Sequence, residues 1–220
     1  MTRVAVLRPE PGASRTAERA RERGLDPLVR PLFEVRPLPW DPPDPARFDA
    51  LLLTSAAALR HAGPELAALR GLPAIAVGPK TERAARAAGL DVAVTGDAGA
   101  VRALRLARER GLARFLHLAG RERMPDQPGV EAVIVYASEP LHVAPGWTRA
   151  LEGRVALLHS PRAAARLAEL ADRDGTPRAA VALAALSPAV LAAAGEGWRA
   201  AAAAPRPDDE ALLGAAARLD

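Results

Sequence analysis

Cysteine is absent from the 220 residues. That excludes a disulfide framework, a thiolate nucleophile and a cysteine-ligated zinc. Aromatic residues make up only 3% of the chain, too few for the stacking platforms that single-stranded nucleic acid requires. Lysine occurs once, as Lys80, so 29 of the 30 basic residues are arginine. The formal charge of +4 favours an anionic partner, but the arginines alternate with 26 carboxylates and form no basic stripe. No nucleic-acid partner is expected. Long hydrophobic runs are missing too. The longest uncharged stretch, residues 179–195, is mostly alanine and is broken by Ser187-Pro188, short of the ~20 strongly apolar residues of a membrane span. The N-terminus turns charged at Arg3 and Arg8, too early for a signal peptide. The expectation is a chain that begins at Met1, works in a reducing cytoplasm and has no membrane association.

What is present is half apolar residues, in short runs that alternate with helix-like segments. This is the pattern of an α/β protein with parallel sheets. Strands are expected at 4–7, 27–30, 50–53, 74–77, 92–94, 115–118, 155–158, 180–183 and 198–201. Helices are expected at 13–23, 56–70, 81–88, 98–110, 163–173, 188–194 and 208–218. Gly24, Gly89, Gly111 and Gly195 follow four of these, where a left-handed cap favours glycine.

An internal repeat organises the pattern. Leu51-Leu52-Leu53-Thr54-Ser55-Ala56-Ala57 resembles Ala156-Leu157-Leu158-His159-Ser160-Pro161-Arg162 at an offset of 105, and Thr81 matches Ser187 at 106. Two copies in nearly constant register predict two domains of one fold. Two extended segments, 33–38 and 130–136, interrupt the rhythm between the copies. Paired, they form a bridge between a discontinuous domain (1–35 plus 138–220) and an inserted one (39–130), with linker strands at 33–38 and 130–137.

Ser55, Thr81, Ser160 and Ser187 each stand where a strand ends and a helix begins. Their hydroxyls suit helix capping. They also suit ligand binding, because open parallel sheets bind ligands beyond the carboxyl ends of their strands, where helix N-termini attract anions. Arg8 follows the first strand at the same kind of position, with a surface salt bridge as its alternative. Tyr136, the sole tyrosine, lies on a bridge strand. Other motifs fail. In Gly78-Pro79-Lys80-Thr81 the spacing from Gly71 is wrong for a phosphate loop and Pro79 removes an amide donor. No G-x-G-x-x-G follows the first strand. His61, His117, His142 and His159 lack metal-ligand spacing, so no metal is assigned. Asp208-Asp209-Glu210 reads as the acidic first turn of a helix.

Taken in order, these segments resemble the uroporphyrinogen-III synthase family over nearly the whole chain. The resemblance rests on Leu7-Arg8-Pro9, Pro31-Leu32-Phe33-Glu34-Val35-Arg36-Pro37-Leu38, Leu53-Thr54-Ser55-Ala56, Ala76-Val77-Gly78-Pro79-Lys80-Thr81, Leu118-Ala119-Gly120-Arg121, Val133-Ile134-Val135-Tyr136, His159-Ser160-Pro161 and Leu186-Ser187. It implies two similar flavodoxin-like or Rossmann-like parallel-sheet domains, a two-stranded β linker and an open cleft. It also implies a lyase needing no cofactor that closes hydroxymethylbilane to its macrocycle, inverting ring D through a spiro intermediate and losing water. By the same resemblance Tyr136 assists departure of the hydroxyl, while Arg8, Thr54, Ser55, Thr81, Ser160 and Ser187 hold substrate carboxylates. A monomer is expected, in transient contact with the enzyme that makes hydroxymethylbilane. Two departures stand out: Ser187 replaces a frequent threonine, and residues 121–129 are short and proline-broken for the helix expected before the linker. The rival reading is a non-catalytic two-domain protein that binds an anionic small molecule, or an inactive synthase relative. A decayed copy would tend to lose Arg8, Tyr136 and the hydroxyls.

Overall fold

The structure, a computed structural model, describes residues 1–97, 99–123, 125 and 127–219. The chain divides into two compact units, one of Met1–Glu34 with Glu139–Asp220 and the other of Val35–Ser138. In the first unit, β1 (Arg3–Val6), α1 (Gly12–Glu22) and β2 (Asp26–Val29) are joined by β9 (Val155–Leu158), α5 (Pro161–Asp174), β10 (Ala182–Ala185), α6 (Pro188–Ala192), β11 (Ala201–Ala203) and α7 (Asp209–Ala216). Its sheet runs β11-β10-β9-β1-β2, and every pairing is parallel.

The second unit holds β4 (Ala50–Leu53), α2 (Ala56–His61), β5 (Ala74–Ala76), α3 (Pro79–Ala87), β6 (Val92–Thr95), α4 (Ala100–Arg108), β7 (Phe115–Gly120) and most of β8 (Val130–Pro140). Parallel pairing joins β8, β7, β4, β5 and β6 in that order, and β3 (Phe33–Pro37) borders β8. Leu38 donates to the Val135 carbonyl and Leu141 to that of Leu32. Numbers therefore rise along one linker strand as they fall along the other, the antiparallel sense. Matching β9-β10-β11 to β4-β5-β6 and β1-β2 to β7-β8 makes the two strand orders identical, in agreement with the sequence repeat.

Both faces of each sheet are covered, which is why the strands read as continuous apolar runs. In the first unit Ala5, Leu7, Ala156, Leu158 and Leu183 face one way, toward α5 and α6. Val4, Val6, Val155, Leu157 and Ala184 face the other way, toward α1 and α7. The second unit repeats the alternation: Leu51, Leu53, Leu116 and Leu118 pack on one side, and Ala50, Leu52, Ile75 and Phe115 pack with α4 on the other. Alanine at many of these helix and strand positions lets the layers approach closely.

Several boundaries differ from expectation, each for a local reason. The helix expected at 56–70 stops at His61, where Gly63 (φ +72°) and Pro64 interrupt it, and a 3-10 turn over Pro64–Leu69 follows. The strands expected at 180–183 and 198–201 lie later, at Ala182–Ala185 and Ala201–Ala203. Runs of alanine carry no alternation from which an edge can be read. Of the helix expected at 98–110, Ala98 lies outside the described residues, and α4 starts at Ala100. Met124 and Asp126, in the short segment 121–129, also lie outside them; the described residues of that segment form no helix. Among the described residues no helix is long and apolar enough to cross a membrane.

Phe115 is fully buried at the start of β7 among Ala103, Leu104 and Ala107 of α4. Phe115→Ala is expected to cost about 3–5 kcal/mol, measured as a shift in urea denaturation.

Candidate functional site

A parallel sheet delivers the carboxyl ends of all its strands to one edge, and in each unit most of the predicted residues follow those ends. In the first unit the strand order reverses between β1 and β9, the kind of switch point at which open sheets bind ligands. Arg8 leaves β1 at this point, and His159 and Ser160 leave β9. Ser160 caps α5, accepting from Ala163 at 3.2 Å. Ser187, after β10, caps α6 by accepting from Val190 at 3.3 Å.

The same edge holds a residue that sequence reasoning assigned only to a helix dipole. Asp208 does cap α7, accepting from Ala211 at 2.7 Å, but the carboxylate of Asp209 turns inward and is 10% exposed. Its Oδ1 accepts from Arg8 Nη1 at 3.0 Å and lies 3.0 Å from His159 Nε2. Its Oδ2 accepts from the Thr16 hydroxyl at 2.9 Å and from Arg19 Nη1 at 3.2 Å. Burial opposes ionisation of this carboxyl, yet the hydrogen bonds from His159 and Thr16 and the charges of His159 and Arg8 outweigh it and hold the group below the usual carboxylate range. Arg8 is shifted down by its own burial, although Asp209 pulls the other way. The salt-bridge alternative for Arg8 is thus realised, with a partner 201 residues away. A surface depression of about 430 Å³, lined by Arg19, Glu22, Arg23 and Glu210, adjoins Asp209. Another cavity, about 660 Å³ between α6 and β11, is lined mainly by apolar side chains such as Leu191, Ala192 and Trp198, with Glu196 beside them.

In the second unit the order reverses between β4 and β7, and one hydrogen bond spans that gap: Thr54 Oγ1 lies 2.9 Å from His117 Nε2. His117 is 2% exposed. Burial, reinforced by the charge of Arg123, pushes its pKa down to about 4, so the imidazole is neutral near pH 7. Ser55 caps α2, accepting from Ala57 at 3.1 Å. Thr81 does not start its helix as expected. Gly78 is the cap and Pro79 the first residue of α3, because the fixed φ of proline suits that position, and Thr81 is buried one turn in.

Tyr136 stands at the same edge, opposite Gly120 in the β7–β8 register. Its ring centroid is 6.1 Å from that of His61, at the end of α2. Arg121 donates its amide to the Tyr136 carbonyl at 2.9 Å, so the backbone here is fixed on both sides. Arg8 and Ser160 therefore follow the two strands that flank one switch point, and Thr54 and Ser55 follow one strand of the second. Asp209, Thr16 and His117 are the additions. The clue to His117 was an ionisable residue inside the apolar run Phe115–Leu118; Asp209 offered none.

Capped helix ends and arginine present donors to anionic groups. Among the described residues no cluster of histidine and carboxylate groups is arranged to hold a metal ion.

Comparison with known proteins adds a family match. The family model described as uroporphyrinogen-III synthase HemD matches residues 14–214. Among solved structures, the fold is similar to the uroporphyrinogen-III synthetase of Helicobacter pylori, with a TM-score of 0.69, 18% identity and 100% of both chains covered. It is also similar to a mutant uroporphyrinogen III synthase of the extremely thermophilic bacterium Thermus thermophilus, with a TM-score of 0.54, 18% identity and 97% of each chain covered. No curated protein sequence matches the chain.

The buried polar groups make stability depend on pH. Protonating His117 is penalised only in the folded state, so its contribution is complete above the unfolded pKa of 6.5 and is lost as pH falls toward about 4. Unfolding free energy should drop by roughly 3 kcal/mol across that window, and His117→Gln should flatten the slope. Asp209→Asn leaves Arg8 and His159 facing a neutral amide, and an expected loss of about 2–3 kcal/mol at pH 7 is read from denaturant midpoints. The folded Asp209 carboxyl is the more acidic form, so its stabilisation is present above the ordinary carboxylate range and is lost as pH falls through its lowered value. The difference between wild type and variant should therefore shrink in strong acid.

Proposed function

Because the chain belongs to the uroporphyrinogen-III synthase family, we infer that it carries out the family reaction, cyclising hydroxymethylbilane with inversion of ring D and loss of water. The observation that carries this is the family match over residues 14–214. The substrate is a linear tetrapyrrole bearing acetate and propionate groups. In the reaction the pyrrole nitrogen supplies electrons as the terminal C–O bond breaks, hydroxide leaves with a proton as water, and an electrophilic azafulvene remains. The substituted carbon of the last ring attacks it to give the spiro intermediate, which fragments and recombines with that ring reversed.

Little side-chain chemistry is needed. The main task is holding a flexible chain so that spiro closure outruns simple end-to-end closure, and such positioning supplies large rate factors. We assign Tyr136 as the proton donor to the departing hydroxyl. Arg8, Ser160 and Ser187 in the first unit, and Thr54, Ser55 and Thr81 in the second, would hold the carboxylates. Support comes from the places of Arg8, Thr54, Ser55, Ser160 and Ser187 just after strand ends, and from the capped N-terminus of α5, where amide donors and the helix dipole favour a negative group. Thr81, buried inside α3, rests on the resemblance alone. Arg8 pairs with the Asp209 carboxylate through Nη1, and guanidinium–carboxylate pairing is the kind of contact a substrate carboxylate would make. We further assign the protein to the cytoplasm, as a monomer that meets the enzyme producing hydroxymethylbilane transiently. No observation favours the binding-protein alternative.

The test generates hydroxymethylbilane in place, adds the purified protein, oxidises the products and separates type I from type III isomers. Type III above the spontaneous type I background is expected. Tyr136→Phe should slow type III formation by about 10 to 100-fold. An unchanged rate would remove Tyr136 from the chemistry.

A further inference from the structure

Along β7 and β8 the parallel register proceeds residue by residue, from Phe115 opposite Val130 to Ala119 opposite Ile134. It then slips, so that Gly120 faces Tyr136 instead of Val135. Strand residues alternate between faces, and Val133 and Val135 accordingly both pack on the core beneath α2 and α3. The slip breaks that alternation: Tyr136, immediately after Val135, packs on the same core. A one-residue irregularity of this kind re-aims a side chain, and such features concentrate near active sites.

Gly120 completes the arrangement. A Cβ built on it would lie 2.6 Å from Tyr136 Cζ, 2.7 Å from Cε2 and 2.9 Å from the hydroxyl oxygen. The three nearest atoms all belong to one phenol side chain. Gly120 is not among the glycines with positive φ, so its backbone does not call for glycine. The missing side chain leaves the space the phenol fills, and the His61 ring stands on another flank.

We infer that Gly120 is a positioning residue for the reaction: with the register slip in β8, it seats the Tyr136 ring at the carboxyl edge of the sheet. This rests on the assignment of Tyr136 as proton donor. Gly120 acts through where it allows the phenol to lie, and touches no substrate itself.

The experiment compares wild type with Gly120→Ala, Tyr136→Phe, the Gly120→Ala/Tyr136→Phe double variant and Gly120→Ala/Tyr136→Leu. Three readouts are used: kcat and KM for type III formation, thermal stability, and the rate of nitration by tetranitromethane. Tyr136 is the only tyrosine and the chain has no cysteine, so nitrotyrosine reports this ring alone. The alanine should lower kcat by about 10 to 100-fold, the scale of an ångström-sized misplacement, while KM moves by less than about threefold. Nitration should change several-fold, and the double variant with phenylalanine should be no slower than the worse single one. Any loss of melting temperature in Gly120→Ala should be recovered when leucine replaces the ring.

Wild-type kcat and nitration in Gly120→Ala, with Tyr136→Phe still slow, would overturn the positioning role and leave the donor assignment standing. A wild-type rate in Tyr136→Phe would overturn the donor assignment, and the role of Gly120 in the reaction with it. A melting loss that persists with leucine at 136 would place the clash elsewhere and also overturn the proposal.

Discussion

Strand direction is the constraint on which the rest of this structure depends. Where neighbouring strands run parallel, each connection must return over the sheet through a helix, so every strand-to-helix turn lands on the same edge. Arg8, Thr54, Ser55, Ser160 and Ser187 reach the carboxyl edges for that reason. The same rule buries both faces of each sheet and thereby requires apolar, small-residue packing. The layers are filled mainly with Ala, Leu and Val, and His117, inside β7, is an exception that is held by Thr54. Architecture and the location of chemistry are one consequence, not two.

Within the first unit the electrostatics add a second level. Arg8, Thr16, Arg19 and His159 come from the ends of β1 and β9 and from α1, and all of them converge on one carboxylate of α7. A charge so far withdrawn from water is tolerable only when its hydrogen bonds are satisfied, and four donors from three elements meet that condition. The network ties α7, the last helix, to the first strand of the chain. It also fixes the guanidinium at a switch point, where a free arginine would sample many rotamers.

How far this was legible in the sequence depends on the range of the interactions concerned. Strands at Ala50–Leu53 and Val155–Leu158 were readable to the residue, because they are unbroken apolar runs bounded by polar or charged residues. The caps at Ser55, Ser160 and Ser187 were readable because capping is local. Alanine tracts around β10 and β11 blurred the boundaries, since alanine suits either structure and shows no face. The Asp209 network was invisible, as Thr16 and Arg8 lie 193 and 201 residues away. So was the slip at Val135, because register is decided by pairing and leaves no mark on one strand's pattern. Thr54 with His117 lay between these extremes: two polar residues in apolar surroundings, 63 residues apart, whose meeting required knowing that β4 and β7 are neighbours.

The first unit is interrupted by the second, and this bears on the order in which the chain can fold as it is synthesised. β1 lies between β2 and β9, and β9 begins only at Val155. The opening β-α-β segment leaves the ribosome with one flank of its central strand bare, and stays so while the whole of Val35–Ser138 is made. That middle stretch is contiguous, and all the strands of its own parallel sheet have emerged before β9 exists. The nascent chain can thus complete its inner sheet while its first residues still await their partners, and during this interval the edge of β1 is open to any other unpaired strand.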